Sequence, residues 1–348
     1  MRILFLGENW YGSCARACSY ALRRLGHDVV DIDAQTFFPQ LRRRSSRAAL
    51  RVFGGPLIRE YNEAILNAAS SFQPDMLIAF KGSYAGAETL ATLKKSGVWL
   101  YNYYPDRLAL ADAAFIDEAV GQYDCFFDTK QSWDNGLSDR TKAKNRVVVP
   151  HGYDPEVHRP MELSKADSSQ YGCDVSFIAT HSPRKEHILR ELVSKRPNLN
   201  LRIWGNQWDN KNHTQGLRKH LAGPAVEGSF YAKALRAAKI NLAVLGVKPG
   251  FEDTTTTRTY EIPACKGFML HERTDEVLEL FEEDKEIACF GDTAELVEKI
   301  EYYLAHPDER ARIAAAGYAR CVPAYSYDNR MAEIINWHER YSGVLAES

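Results

Sequence analysis

A chain of 348 residues with 45% hydrophobic content can bury a sizeable core, and its length favours two domains over one. The formal net charge of -2 exerts no general pull toward nucleic acid or anionic lipid. Seven scattered cysteines show no zinc-like pairing, and no stretch reaches the ~18 apolar residues that a membrane span needs.

In chain order, Arg2 to Leu6 predicts an apolar strand ending at Gly7, and Ser13 to Leu25 a helix stopped by Gly26. The start is too short an apolar run for a signal peptide, and the cysteines suit reduced, buried thiols, so a cytoplasmic setting is expected. Further strands are predicted at 28–32, 76–80, 98–102, 124–127 and 146–149, with helices around 57–72, 85–96 and 108–121. The pattern resets after Pro150 and a polar linker. A second series runs through 173–178, 199–204, 240–245, 268–271 and 286–290, and Asp292 is placed to cap the helix that follows. Strands alternating with helices call for parallel sheets covered on both sides. The expected α/β architecture is two tandem Rossmann-like domains facing across a cleft, at 1–155 and 156–325. A last helix, from 326, crosses back to the first domain.

Ligands of open parallel sheets bind beyond the carboxyl ends of the strands, so the strand-end loops hold the candidate residues. In the first domain these are Gly7, Asn9 and Trp10, in a loop that leads into a helix N-terminus, and Asp106, beside aromatics at 103 and 104. An ordinary strand–helix turn and an interface patch account for them equally well. In the second domain Arg184 and Lys185 follow Pro183 at a helix start, where two cations suit an anion or form a solvated basic pair. Thr254, Thr255, Thr256 and Thr257 then run into Arg258 and Glu261. Threonines are poor inside helices and good at their starts, so this run offers N–H and O–H donors for phosphate. Glu261, one turn on, offers two oxygens to a sugar diol. A threonine-capped helix with a surface Arg–Glu pair fits the same letters. Pro263 must kink or shorten that helix.

The segment Arg258-Thr259-Tyr260-Glu261-Ile262-Pro263-Ala264-Cys265-Lys266-Gly267-Phe268-Met269-Leu270 resembles the signature of CgeB-like, spore-maturation-type glycosyltransferases. Segments around 279–281, 285–287, 295–297, 306–310 and 313–317, with Asp174 to Ile178 upstream, fit the same pattern. That family lies in the retaining GT-B group, the glycosyl transferases group 1. The resemblance covers most of 173–335; over 1–150 only the architecture agrees. It implies two acidic residues with seven residues between them, which fall on Asp253 and Glu261, with Asp253 standing where the group usually carries Glu. Glu261 would hold ribose hydroxyls, Asp253 would touch the donor sugar, and the backbone N–H groups of Thr254 to Thr257 would take the diphosphate. Arg184, with Lys185 or Arg258, would neutralise it, and Gly205 would lie near the base.

The activity implied is retaining transfer from a nucleoside-diphosphate sugar to an acceptor hydroxyl, with no cofactor and no metal. The acceptor would be a glycan, a protein or a small molecule, and the charge argues against nucleic acid. The basic run Arg42-Arg43-Arg44 suits peripheral membrane contact or a solvated loop. Two alternatives stay open. One is a non-catalytic nucleotide-sugar-binding or assembly protein, which the change at Asp253 favours. The other is a sugar-nucleotide epimerase, which would need acid–base residues that do not stand out. A nicotinamide dehydrogenase lacks its glycine fingerprint here.

Overall fold

The computed structural model describes residues 1–38, 54–82, 84–105, 118–129, 145–208, 216–248 and 251–347. The chain forms two compact units, Met1–His151 with Tyr327–Ser348, and Gly152–Ser326. Among the described residues, no helix is long and apolar enough to cross a membrane.

The first unit holds strands β1 (Arg2–Gly7), β2 (Asp28–Asp33), β3 (Met76–Phe80), β4 (Trp99–Tyr104), β5 (Cys125–Asp128) and β6 (Arg146–Val148). They form one parallel sheet in the order β2-β1-β3-β4-β5-β6. Successive side chains on a strand point to opposite sides, so each strand feeds two cores. Ile3, Phe5 and Ile78 join one cluster with helix α1 (Cys14–Arg24), while Leu4, Leu6 and Leu77 join the other. That second cluster is closed by α3 (Gly55–Phe72) and α4 (Ala87–Lys95); the short α2 (Ala34–Phe37) precedes them. Ser13 caps α1 by accepting from Arg16 N, as its hydroxyl and position suggest.

The second unit holds β7 (Cys173–Ile178), β8 (Leu201–Trp204), β9 (Leu221–Gly223), β10 (Ala238–Ala243), β13 (Met269–Glu272) and β14 (Ala288–Phe290). Their order is β14-β13-β10-β7-β8-β9, again parallel. A two-stranded antiparallel hairpin, β11 (Val247–Lys248) and β12 (Phe251–Glu252), rises from the loop after β10. Helix α5 (Lys165–Tyr171) leads into β7, and α6 (Pro183–Lys195) follows it. Then come α7 (Gly228–Ala237), α8 (Thr257–Ala264), α9 (Asp275–Leu280), α10 (Thr293–Ala305) and α11 (Pro307–Cys321). Asp292 caps α10 through Ala294 N and Glu295 N, as expected. Pro263 falls one residue before the end of α8, which limits that helix to eight residues.

The last helix, α12 (Tyr327–Glu347), returns to the first unit. Its Tyr327, Met331, Ile334 and Ile335 are buried in the cluster that contains α1 and β1. Each such side chain taken from water contributes roughly 1.5–3 kcal/mol. Arg24 grips Asp328 with two nitrogens, at 3.0 Å to Oδ2 and 2.5 Å to Oδ1, and Tyr101 Oη meets His338 Nδ1 at 2.7 Å.

Candidate functional site

In the second unit β13, β10 and β7 lie side by side, so the segments that leave their carboxyl ends are neighbours. Arg184, on the first turn of α6, donates to the Leu245 carbonyl at 3.2 Å and to Glu272 Oε2 at 2.9 Å, with a second bond to Glu272 Oε1. Glu272 ends β13, and its Oε2 also accepts from Leu245 N at 3.0 Å. One guanidinium edge is thus committed within the protein. Arg258 donates to the Val244 carbonyl at 3.2 Å, while its buried Nε has no partner among the described residues. Lys185 Nζ reaches the Thr180 carbonyl at 3.3 Å. Burial pushes the Lys185 ammonium down to about 8, helped by the charges of Arg258 and Arg184 and partly opposed by Asp253. Cations that repel one another in partial burial are a site for something anionic.

The four threonines divide by role, and the expectation of exposed hydroxyls fails for the first two. Thr254 and Thr255 both donate to Glu276, the latter at 3.2 Å, and Thr255 is fully buried. Glu276 sits in the first turn of α9, where a carboxylate is stabilised by the helix dipole and binds the loop instead of leaving it open. Thr256 is the N-cap of α8, and its N–H donates to Thr259 Oγ1 at 3.0 Å. Thr257 and Arg258 supply the first-turn amides. Thr259 Oγ1 also meets His271 Nε2 at 2.9 Å, and His271 Nδ1 meets the Glu272 carbonyl at 2.6 Å. A carbonyl only accepts, so the proton is on Nδ1 and the Thr259 hydroxyl donates to Nε2. Full burial holds this imidazole neutral, pushing it down to about 4. A continuous chain of bonds therefore runs from the cap of α8 to the residue that grips Arg184.

Asp253 N donates to the Gly246 carbonyl at 2.9 Å. A side chain at Gly246 would come within 2.7 Å of Asp253 Oδ2, so the glycine leaves room for that carboxylate. Glu261, midway along α8, is buried and accepts from Tyr231 Oη at 2.7 Å; His158 Nε2 stands 3.8 Å from its other oxygen. Gly205 has φ +150°, and a Cβ there would lie 1.9 Å from the Ala179 carbonyl oxygen. Trp208 Nε1 donates to that same carbonyl at 2.7 Å.

In the first unit Gly7 ends β1, and a Cβ on it would meet the Ala15 Cβ at 2.7 Å, so this glycine lets α1 lie close on the strand. Asn9 N donates to Asp33 Oδ1 at 3.2 Å and Trp10 Nε1 to Glu8 Oε2 at 3.0 Å. Asp106 and the run Arg42-Arg43-Arg44 lie outside the described residues.

Five residues that hold this region together escape the sequence reading: His158, Tyr231, His271, Glu272 and Glu276. Glu272 alone carried a readable signal, as a carboxylate at the end of an apolar strand. The others lie on segments whose approach only the fold determines.

The whole chain is similar in structure to sucrose-phosphate synthase from Thermosynechococcus elongatus, with a TM-score of 0.67 at 12% identity over 100% of both chains. It is similar also to Anabaena HepE in complex with UDP-glucose, with a TM-score of 0.65 at 14% identity over 97% of this chain and 99% of that one. Likeness at such identity shows a common fold, the two Rossmann-like domains of the GT-B group. In sequence, 77 residues are 35% identical to the spore protein CgeB of Bacillus subtilis strain 168, covering 22% of this chain. The chain spans 23% of that relative's length in the match. Residues 184–336, which carry Arg184, Asp253, Arg258 and Glu261, match the family described as glycosyl transferase-like.

Proposed function

We propose that the protein is a glycosyltransferase that moves a sugar from a nucleoside-diphosphate donor to an acceptor hydroxyl, with retention at the anomeric carbon and without a metal ion. The observation that carries this reading is the gathering of Arg184, Lys185 and Arg258 at the strand ends of the second unit, beside the N-terminus of α8. A diphosphate there neutralises the repelling cations. The Thr257 and Arg258 amides add the positive end of a helix. Thr254 and Thr255 then shape the loop rather than touch the ligand, because Glu276 takes their hydroxyls.

In this reading Glu261 holds the ribose hydroxyls, Asp253 contacts the donor sugar, and Gly205 lies near the base. The transition state is oxocarbenium-like, as in glycoside hydrolysis, and catalysis rests on stabilising charge on the departing diphosphate. The departing phosphate takes the acceptor's proton. Gly7, Asn9 and Trp10 are assigned to the acceptor side, and the family type is the CgeB-like one. A non-catalytic reading, nucleotide-sugar binding without turnover, rests on Asp253 standing where Glu is usual.

UDP-glucose is the first donor to test, since HepE binds it. The test is thermal unfolding with UDP, GDP, CDP, ADP and dTDP, on wild type and Glu261→Ala, followed by turnover of the matching sugar nucleotide. One nucleotide should stabilise wild type by ~2.7 kcal/mol at a hundredfold excess over its Kd, and the variant far less. If none of the five does so, the donor site is misplaced. Binding without hydrolysis or transfer would favour the non-catalytic reading.

A further inference from the structure

The arrangement around Glu261 is more elaborate than a carboxylate on a helix requires. Glu261, Tyr231 and His158 come from α8, α7 and the segment before α5, and all three are buried. Tyr231 donates its hydroxyl to Glu261 Oε2 at 2.7 Å. His158 Nδ1 accepts from Asp154 N–H at 3.0 Å, which leaves its neutral-ring proton on Nε2. That nitrogen stands 3.8 Å from Glu261 Oε1, beyond a hydrogen bond. The two rings pack edge to face, with centroids 5.6 Å apart at 78°, so each fixes the other's orientation. Burial and the neighbouring carboxylate push the Tyr231 phenol well up, so it remains a donor across ordinary pH.

We infer that Tyr231 and His158 are positioning residues that lock the Glu261 carboxylate so that it reads the vicinal diol of a ribose; this rests on the donor-site reading above. An ionised carboxylate accepts about four hydrogen bonds. Tyr231 fills one on Oε2 and His158 stands against Oε1, and the remaining acceptor capacity is enough for the two O–H donors of a cis-diol. A glutamate free to rotate would pay side-chain entropy for each such contact, whereas this one is held before the ligand arrives. The clamp therefore acts on discrimination between ribose and deoxyribose more than on gross affinity.

The experiment measures binding of UDP, GDP, CDP and ADP, each against its 2′-deoxy counterpart, to wild type, Tyr231→Phe and His158→Gln, with circular dichroism as the folding check. Wild type should prefer the ribose form of its nucleotide by ~10-fold or more, the scale of a hydrogen bond to a charged group. Tyr231→Phe should bring that ratio close to one while staying folded, and His158→Gln should lower it less. A folded Tyr231→Phe that keeps the ratio overturns the inference, as does a wild type that binds both forms alike. If Tyr231→Phe fails to fold, the His158→Gln ratio decides in its place. Binding of no nucleotide at all brings down the donor-site reading itself, a distinct failure.

Discussion

The two units are built alike, each a six-stranded parallel sheet with helices on both sides, yet their strand-end loops differ in what they leave unsatisfied. After β1, the loop is knotted to itself and its surroundings. Trp10 bonds Glu8, Ser13 Oγ donates to the Glu8 carbonyl, and Asn9 N reaches Asp33. After β7, β10 and β13, three cations gather and a buried guanidinium nitrogen has no partner among the described residues. Architecture therefore does not mark the site. A cluster of like charges does, since cations held close together in partial burial call for an anion.

The largest effect that tests this comparison concerns its glycines. Gly205→Ala must displace the Ala179 carbonyl from 1.9 Å in a backbone at φ +150°, and should destabilise by more than about 3 kcal/mol in urea unfolding. Gly7→Ala meets a methyl group instead of backbone, and should cost about 1–3 kcal/mol as an overpacking change. Equal costs would mean that the two strand ends are equally tolerant.

A smaller effect appears in the pH dependence of nucleotide binding. Lys185 is held at about 8 instead of 10.5 in the free protein. An adjacent diphosphate favours the ammonium, so the affinity should be full below pH 8. Above it, binding should take up a proton and weaken by up to ~10-fold per pH unit. Calorimetry from pH 7 to 10 on wild type and Lys185→Met measures this; a flat wild-type profile would remove Lys185 from the site. The same linkage gives stability the opposite sign. A depressed lysine means the unfolded chain binds more protons between about 8 and 10.5, so this group's contribution rises with pH across that window.

The smallest effect belongs to the self-satisfied loop. Trp10→Phe removes one exposed bond to Glu8 and should shift Tm by no more than a surface change of ~0.5 kcal/mol, with nucleotide affinity unaltered. A large loss of nucleotide affinity would put a nucleotide contact at a loop whose polar groups are already paired.

Most of the strands could be read from alternation, because apolar runs such as Met76 to Phe80 and Cys173 to Ile178 carry the signal themselves. The hairpin of β11 and β12, with two residues a strand, is too short for any period to register, and β9, Leu221-Ala222-Gly223, has no apolar run to mark it. Within the site, Arg184, Lys185, Arg258 and Glu261 were legible because strand-to-helix junctions are local. What binds them was not. Glu272 meets Arg184 across 88 positions, and Tyr231 meets Glu261 across 30. The threonine hydroxyls were misjudged for the same reason, since Glu276 competes for them from 21 and 22 positions away. Composition shows which groups are present, and only the fold shows which are already taken.

The return of α12 to the first unit has a consequence for how the protein is made. The core around Ile3, Phe5 and α1 needs Tyr327, Met331 and Ile334, which are translated after the whole of the second unit. The second unit, by contrast, is one uninterrupted stretch from Gly152 to Ser326. Domains ordinarily mature in the order in which they are translated. Here the unit begun second has all its parts first, and the unit begun first waits for α12 to close it.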